Sequence, residues 1–318
     1  MRSRKDKHVT NINYQYDGLE TVTDFVRWGG SLFKGANLFF GHGTDNAFDD
    51  AKTLAFHVLH LPWEIPERYW QARLSPDEKR RVAELFKRRI ESRKPSAYLI
   101  GEAWFAGMRF IVDEATLVPR SPIAELIAKE FDGWVNPEKV HRVLDMCTGS
   151  GCIGIASLQA LPYATVDLVD ISPEALAVTQ QNIDLYQLHD SARVIQSDLF
   201  SALKGEKYDL IVSNPPYVDV IEMDALPEEF QQEPRLGLEA GEDGLDLVRR
   251  ILAEAGEHLT DDGVLIVEVG VSQYYLEQAY PELPFFWFEF EQGGEGVFAI
   301  HKSELEIFQE LLNERVEP

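Results

Sequence analysis

The sequence predicts an α/β protein: a seven-stranded, mainly parallel sheet flanked by helices, preceded by a helical N-terminal domain and a linking β-hairpin. Three observations carry this. From His141 onward, short apolar runs alternate with helix-like stretches, the pattern of a parallel sheet with helices on both faces. A glycine-rich loop follows the first of those runs. Between residues 19 and 95, by contrast, apolar positions recur at helical spacing.

The elements follow in order. Leu19 to Leu32 and Asp49 to Leu61 carry apolar residues at helical intervals. Ser75-Pro-Asp-Glu78 is a helix start, with Ser75 as N-cap and Glu78 at the capping-box position, and that helix should run to about Ser92. Ala97 to Val118 alternates around Gly107, with Phe105, Phe110, Ile111 and Val112 on either side, and reads as a β-hairpin. The expected boundaries are 1–95 for the helical domain, 96–120 for the hairpin linker and 121–318 for the α/β domain. Strand-like runs are Arg142–Met146, Thr165–Asp170, Arg193–Gln196, Asp209–Ser213 and Val264–Val269. Helix-like stretches lie at Ile153–Ala160, Pro173–Leu188, Leu245–Leu259 and Gln273–Tyr280. Phe285–Phe290 and Gly296–Lys302 flank Gly293-Gly294 and should form an antiparallel hairpin at a sheet edge. Glu304 to Val316 looks like a closing helix.

Composition narrows the class. With 318 residues, 45% hydrophobic and 11% aromatic, the chain can bury a sizeable core and exceeds one typical domain. Phe285-Phe-Trp-Phe288 is far too short to span a bilayer, so no membrane association is expected. Met1–His8 is basic with no apolar core after it, so no secretory signal is expected. Cys147 and Cys152 exclude a disulfide framework and suit a reducing cytoplasm. Five positions apart in a glycine-rich loop, they make no zinc site and read as small packing residues; no metal is expected. The net charge of −24 repels naked nucleic acid, whose binders neutralise phosphates with basic residues. Direct nucleic-acid binding is therefore not expected. Such a surface attracts a basic protein, or is simply a solvated acidic surface.

The loop Asp145-Met-Cys-Thr-Gly149-Ser-Gly151-Cys-Ile-Gly154 contains Gly-x-Gly-x-x-Gly after a strand, with Asp170 ending the next strand. Taken alone this is a dinucleotide fingerprint, in which glycines admit the cofactor and the acid binds ribose hydroxyls. Two further carboxylates redirect it. Asp145 stands at the strand tip, where a cationic amino group can sit. Asp198, after the third strand, can accept from an adenine amino group. Acids after three consecutive strands suit S-adenosylmethionine better than NAD, because that cofactor has ribose, adenine and an ammonium but no pyrophosphate.

Asn214-Pro-Pro-Tyr217 follows the apolar run Tyr208–Ser213. A primary amide nitrogen is a poor nucleophile, so a site that alkylates it must grip the NH2 group and aim its lone pair. The Asn214 side-chain oxygen can accept one N–H and the Pro215 carbonyl the other. Pro216 biases Pro215 toward extended geometry, which turns that carbonyl outward. Neither proline offers a competing donor. The Tyr217 ring can lie flat on the amide plane. A plain turn after a strand is the alternative, since Asn and Pro favour turns.

The order glycine loop, acidic strand ends, then Asn-Pro-Pro-Tyr resembles the amino-group methyltransferases with a seven-stranded Rossmann-like domain, over about residues 97–302. That family includes DNA-adenine, DNA-cytosine, RNA-guanine and protein-glutamine methyltransferases. Ser96–Glu102, Phe110–Asp113, Leu117–Arg120, Glu233-Pro234, Gly241-x-Asp243-Gly244-Leu245 and Gly293–Gly296 are similar to the protein-glutamine group. Val118–Glu125 and Phe40–Asn46 resemble the branch acting on ribosomal protein L-three rather than the release-factor branch. The resemblance implies transfer of a methyl group to a glutamine amide of a basic large-subunit ribosomal protein. Release factors, or a base's exocyclic amino group, are the alternative acceptors. It implies a catalytic set of Asn214, Pro215, Pro216 and Tyr217. It implies a cofactor set of Asp145, Cys147, Thr148, Gly149, Ser150, Gly151, Asp170, Ile171, Asp198, Leu199 and Asn214. Asn214, Pro215, Tyr217 and Arg120 are the implied substrate contacts. Arg120 either fixes a loop over the site or pairs with a carboxylate, and Phe40–Asn46 either recognises substrate or is a packed loop.

Overall fold

The computed structural model describes residues 14–316; the basic segment Met1–His8 lies outside them. Contacts divide the chain into two units. One holds the residues up to Gly101 together with Pro227–Gln232, and the other holds Glu102–Leu226 and the residues from Glu233 on.

The first unit is helical. Its main helices are Val22–Gly35, Ala47–Leu59 and Pro76–Ser92. Each start is capped. Thr21 and Ser75 form capping boxes with Asp24 and Glu78, and the Asn46 side chain accepts from the N–H groups of Phe48 and Asp49. The apolar faces meet around Phe25, Phe33, Leu54 and Phe86, all fully buried. One ion pair lies inside this core: Arg89 Nε donates to Asp50 Oδ2 at 3.0 Å. Thr44 Oγ1 donates to the other Asp50 oxygen at 3.2 Å, and Arg89 also reaches the Phe39 and Arg93 carbonyls. A buried pair is tolerable only when its remaining hydrogen-bonding capacity is met in this way.

The expected hairpin is shorter than the 96–120 segment. Ser96–Ile100 is a short helix closed by Gly101, and only Glu102–Phe105 (β1) and Met108–Ile111 (β2) pair as antiparallel strands. Their two-residue loop, Ala106-Gly107, has φ of 47° and 77°, the left-handed twist that matches paired strands. Alternation within Ala97–Ile100 is too brief to separate a turn of helix from a strand.

The second unit holds the seven-stranded sheet. Its strands are Arg142–Met146 (β3), Thr165–Asp170 (β4), Ala192–Gln196 (β5), Tyr208–Ser213 (β6), Leu259–Glu268 (β7), Phe286–Trp287 (β8) and Val297–His301 (β9). Their order is β5-β4-β3-β6-β7-β9-β8. All neighbours are parallel except β9, which lies antiparallel between β7 and β8. The central strands are mainly apolar and buried along most of their length because both faces are covered, whereas edge strand β5 is only half-buried. One face packs Leu144, Ile211 and Leu265 against Val248, Ile251 and Leu252 of helix Asp246–His258. The closing helix is two short ones, Lys302–Ile307 and Gln309–Glu314, broken at Phe308. Among the described residues no helix is long and apolar enough to cross a membrane.

This topology has a consequence for function. The chain runs from β3 outward to β4 and β5, then returns to β6 on the other side of β3. Loops leaving β3 and β6 therefore diverge at their carboxyl ends and open a crevice, where ligands bind in sheets of this kind.

Replacing Asp50 with Ala leaves the Arg89 guanidinium buried without its carboxylate. The helical unit should lose about 3–5 kcal/mol, read as reduced hydrogen-exchange protection across Val22–Gly35, Ala47–Leu59 and Pro76–Ser92.

Candidate active site

The glycine loop is built around one buried carboxylate. Asp145 sits at the end of β3 with no exposed surface. Its Oδ2 accepts from Thr148 Oγ1 at 2.5 Å and from the Gly154 N–H at 2.8 Å. Gly154 must lack a side chain, since a Cβ there would stand 2.5 Å from Leu168 and 2.8 Å from Asp145 Cβ. Gly149 has φ of 56° and open space where a Cβ would be, so the loop presents bare backbone. Asp170 secures the same loop from β4. Its two oxygens accept from the N–H groups of Gly149 and Ser172, both at 2.9 Å. Burial raises the Asp170 carboxyl above its ordinary value.

Helix Pro173–Tyr186 holds the loop from outside. Thr179 Oγ1 donates to the Gly149 carbonyl at 2.8 Å. Asn182, wholly buried, donates to the Ser150 carbonyl at 2.8 Å and exchanges two hydrogen bonds with the Ile111 backbone. It thereby ties β2 to the glycine loop. Cys147 and Leu199 adopt left-handed backbone with φ of 60° and 47°, an uncommon conformation that costs energy in side-chain-bearing residues. Burial raises both thiols, Cys152 to about 12, so they remain protonated packing groups. Asp198 is half-exposed and pairs through one oxygen with Arg250 at 2.9 Å, leaving the other oxygen with acceptor capacity. Ile171, which follows Asp170, is half-exposed.

Asn214-Pro-Pro-Tyr217 starts one residue beyond the end of β6. Ser213 is the register partner of Met146, and its Oγ donates to the Met146 carbonyl at 2.8 Å. The tetrapeptide and the glycine loop therefore leave the sheet from adjacent rungs of neighbouring parallel strands. The Asn214 amide is part-exposed and makes no hydrogen bond to another described residue. Pro215 and Pro216 are buried. Tyr217 is fixed at several points. Ser272 Oγ donates to its carbonyl at 2.8 Å, and its hydroxyl donates to Glu268 Oε1 at 3.2 Å. A Cβ on Gly270 would fall 2.6 Å from its ring. Burial raises the phenol well above its usual range, so it stays a donor.

Of the two uses expected for Arg120, the structure shows a carboxylate pair. Both guanidinium ends bond Glu233, at 2.6 and 2.7 Å, and Glu233 also accepts from the Val118 N–H at 3.0 Å. In the helical unit, Phe40–Asn46 contains a buried His42 whose ring lies 4.3 Å from Phe230, while Asn46 caps a helix.

Residues 125–280 match the family model described as the methyltransferase small domain. The chain is 52% identical over 290 residues to the ribosomal protein uL3 glutamine methyltransferase of Xanthomonas campestris pv. campestris, covering 91% of this chain and 94% of that protein. The protein of the same name from Francisella tularensis subsp. tularensis is 48% identical over 290 residues, covering 91% and 92%. This chain belongs to the uL3 glutamine methyltransferase family.

For a member of this family, the donor set fits the methyl-donor cofactor in one respect that the geometry exposes. Asp145 Oδ1 is buried and has no hydrogen-bond partner among the described residues. A buried carboxylate oxygen without a donor is costly, and an ammonium group satisfies it. Among the described residues, no cluster of three or more His, Cys, Asp or Glu is placed to hold a metal ion. Sequence reasoning missed Thr179, Asn182 and Glu268, and it singled out Glu233 without its pairing to Arg120. Thr179 and Asn182 left a faint signal, two polar residues three apart on the apolar side of a helix; Glu268 is defined only by its partners.

Burial raises the Asp145 carboxyl to about 7. A folded-state value above the ordinary carboxylate range means that protonation favours the fold, a contribution present in acid and lost as pH rises toward 7. A bound ammonium favours the ionised form instead. Affinity for S-adenosylhomocysteine should therefore rise as pH climbs through about 7. In Asp145→Asn that pH dependence should flatten, as measured by titration calorimetry.

Proposed function

We propose that this chain transfers a methyl group from S-adenosylmethionine to the side-chain amide nitrogen of a glutamine in ribosomal protein uL3. The observation that carries the reading is the shared origin of two loops. The glycine loop and Asn214-Pro-Pro-Tyr217 leave the sheet beside the paired residues Met146 and Ser213. An amide-gripping segment therefore lies next to a loop suited to a cofactor with an ammonium group and a ribose. Family membership supplies the substrate. The net charge of −24 suits a basic ribosomal protein as partner.

When bound, the cofactor supplies an electrophilic methyl group on a sulfonium. The chain's own residues bind and orient. Asp145 Oδ1 has the vacant acceptor for the ammonium. The Asp170 oxygens accept backbone N–H groups and keep acceptor capacity for a ribose hydroxyl. Asp198 keeps one oxygen for the adenine amino group. The Asn214 oxygen and the Pro215 carbonyl take the two amide protons, which aims the nitrogen lone pair outward. The Tyr217 ring packs on the amide plane. Alignment of this kind supplies about 7–11 kcal/mol of a barrier when geometry is good. A dedicated base is not required, because the amide nitrogen becomes acidic as it is alkylated and loses its proton late.

Asn214→Ala removes the side-chain acceptor and leaves the glycine loop intact. Cofactor affinity by calorimetry should hold within a few-fold, while methyl incorporation falls by about 10²-fold or more, the scale of losing alignment. Unchanged incorporation would sink this reading. The acceptor is tested by incubating the enzyme with labelled S-adenosylmethionine and ribosomal extract from an enzyme-deficient strain. Mass spectrometry should find the label on a uL3 glutamine; label on a release factor or on nucleic acid overturns the assignment.

A further inference from the structure

Glu268 is a buried acidic group beside the tetrapeptide that the mechanism above leaves unused. It ends β7, one residue past Val267, which is the register partner of Ser213. Its side chain therefore stands at the level of the sheet where Asn214 begins. One oxygen accepts from Tyr217 Oη at 3.2 Å, and the other accepts from Ser121 Oγ at 2.5 Å. Ser121 Oγ in turn accepts from the Ile123 N–H at 3.1 Å. No Lys, Arg or His hydrogen-bonds this carboxyl among the described residues; Arg120, one residue from Ser121, pairs with Glu233 instead. Burial pushes the Glu268 carboxyl up to about 7, outweighing the two hydroxyl hydrogen bonds and the nearby positive charge of Arg120, which act in the opposite direction.

A carboxyl buried at this cost, with both oxygens spent on hydroxyls, is arranged as a clamp. Removing one partner from such a group leaves the other unsatisfied, so the clamp favours a single geometry. Tyr217 is the group that geometry serves. The bare Gly270 backbone crowds its ring, Ser272 holds its carbonyl, and Glu268 holds its hydroxyl. With tip, base and one side restrained, the ring plane is set before any substrate arrives. A site that aligns reacting groups needs supporting groups that lock its own rotamers.

We propose that Glu268 is a positioning residue for methyl transfer, setting the plane of the Tyr217 ring through a Ser121–Glu268–Tyr217 hydrogen-bond chain. The inference rests on Tyr217 packing against the acceptor amide. It makes the chain 118–121 part of the active-site architecture, since Ser121 anchors the clamp while the neighbouring Arg120 anchors the loop at Glu233. Its effect falls on kcat, because the ring's orientation matters after both substrates are bound. Cofactor affinity depends on Asp145 and Asp170, which Glu268 does not touch.

The test compares Glu268→Leu, Glu268→Gln, Tyr217→Phe and the double variant of Glu268→Leu with Tyr217→Phe. Kinetics are measured on purified uL3, and Tyr217 ring flipping is measured by aromatic NMR relaxation in the same enzymes without substrate. Glu268→Leu and Tyr217→Phe should each lower kcat by at least about tenfold with cofactor Kd unchanged. The double variant should be no worse than the poorer single one, as expected for groups acting as a unit. Glu268→Gln, which keeps an acceptor for the tyrosine, should recover most of the loss. Ring flipping should quicken in Glu268→Leu and return toward the wild-type rate in Glu268→Gln. Additive losses, a loss that follows Kd or melting temperature alone, or flipping that ignores Glu268 would each overturn the inference. A wild-type enzyme that leaves uL3 unmodified defeats the proposed substrate instead, and ring flipping then still decides the clamp. If Glu268→Leu does not fold, Ser121→Ala takes its place, and an unchanged flipping rate there counts against the proposal.

Discussion

The site depends on a carboxylate that is kept from water by the loop it organises. Asp145 spends one oxygen on Thr148 and Gly154 and leaves the other unpartnered in the interior. The first two bonds fold the chain back over the end of β3. The unpartnered Oδ1 is a cost that the fold bears. Gly154 has no side chain because Asp145 and Leu168 occupy that space, and Asn182 and Thr179 fasten the loop from the next helix. Remove the carboxylate and each of these contacts loses its reason.

The second half of the site follows the same logic with different chemistry. Asn214 is left free to bond outward, whereas Tyr217 is restrained at its carbonyl, ring and hydroxyl. The restraints come from distant parts of the chain: Gly244 and Gly270 by lacking side chains, Ser272 and Glu268 by hydrogen bonds. Glu233 plays the matching role for Arg120, so two buried acids, each with partners from residues 118–121, brace the approach to the tetrapeptide.

Most of the sheet was legible from sequence because its central strands are buried on both faces. Thr165–Asp170 and Arg142–Met146 read as short, mainly apolar runs with a carboxylate at or next to their carboxyl ends, and the structure has strands at those residues. The capped start at Ser75 was legible because a capping box is a local pattern of side chains four residues long. Ser96–Ile100 was not, since five residues of apolar character suit a helical turn or a strand equally. Nor was the placement of Pro227–Gln232 with the helical unit, which is decided by packing alone.

By itself the sequence determined the fold class, the glycine loop with its three strand-end acids and the tetrapeptide after β6, because each is written in adjacent residues with local geometric demands. Tertiary structure alone decided that Met146 and Ser213 are paired, that Asp145 keeps one oxygen vacant, and that Glu268 meets Tyr217 and Ser121. Those facts join residues up to 147 positions apart. A polar side chain's use depends on which partner burial brings to it, and spacing along the chain carries no record of that partner.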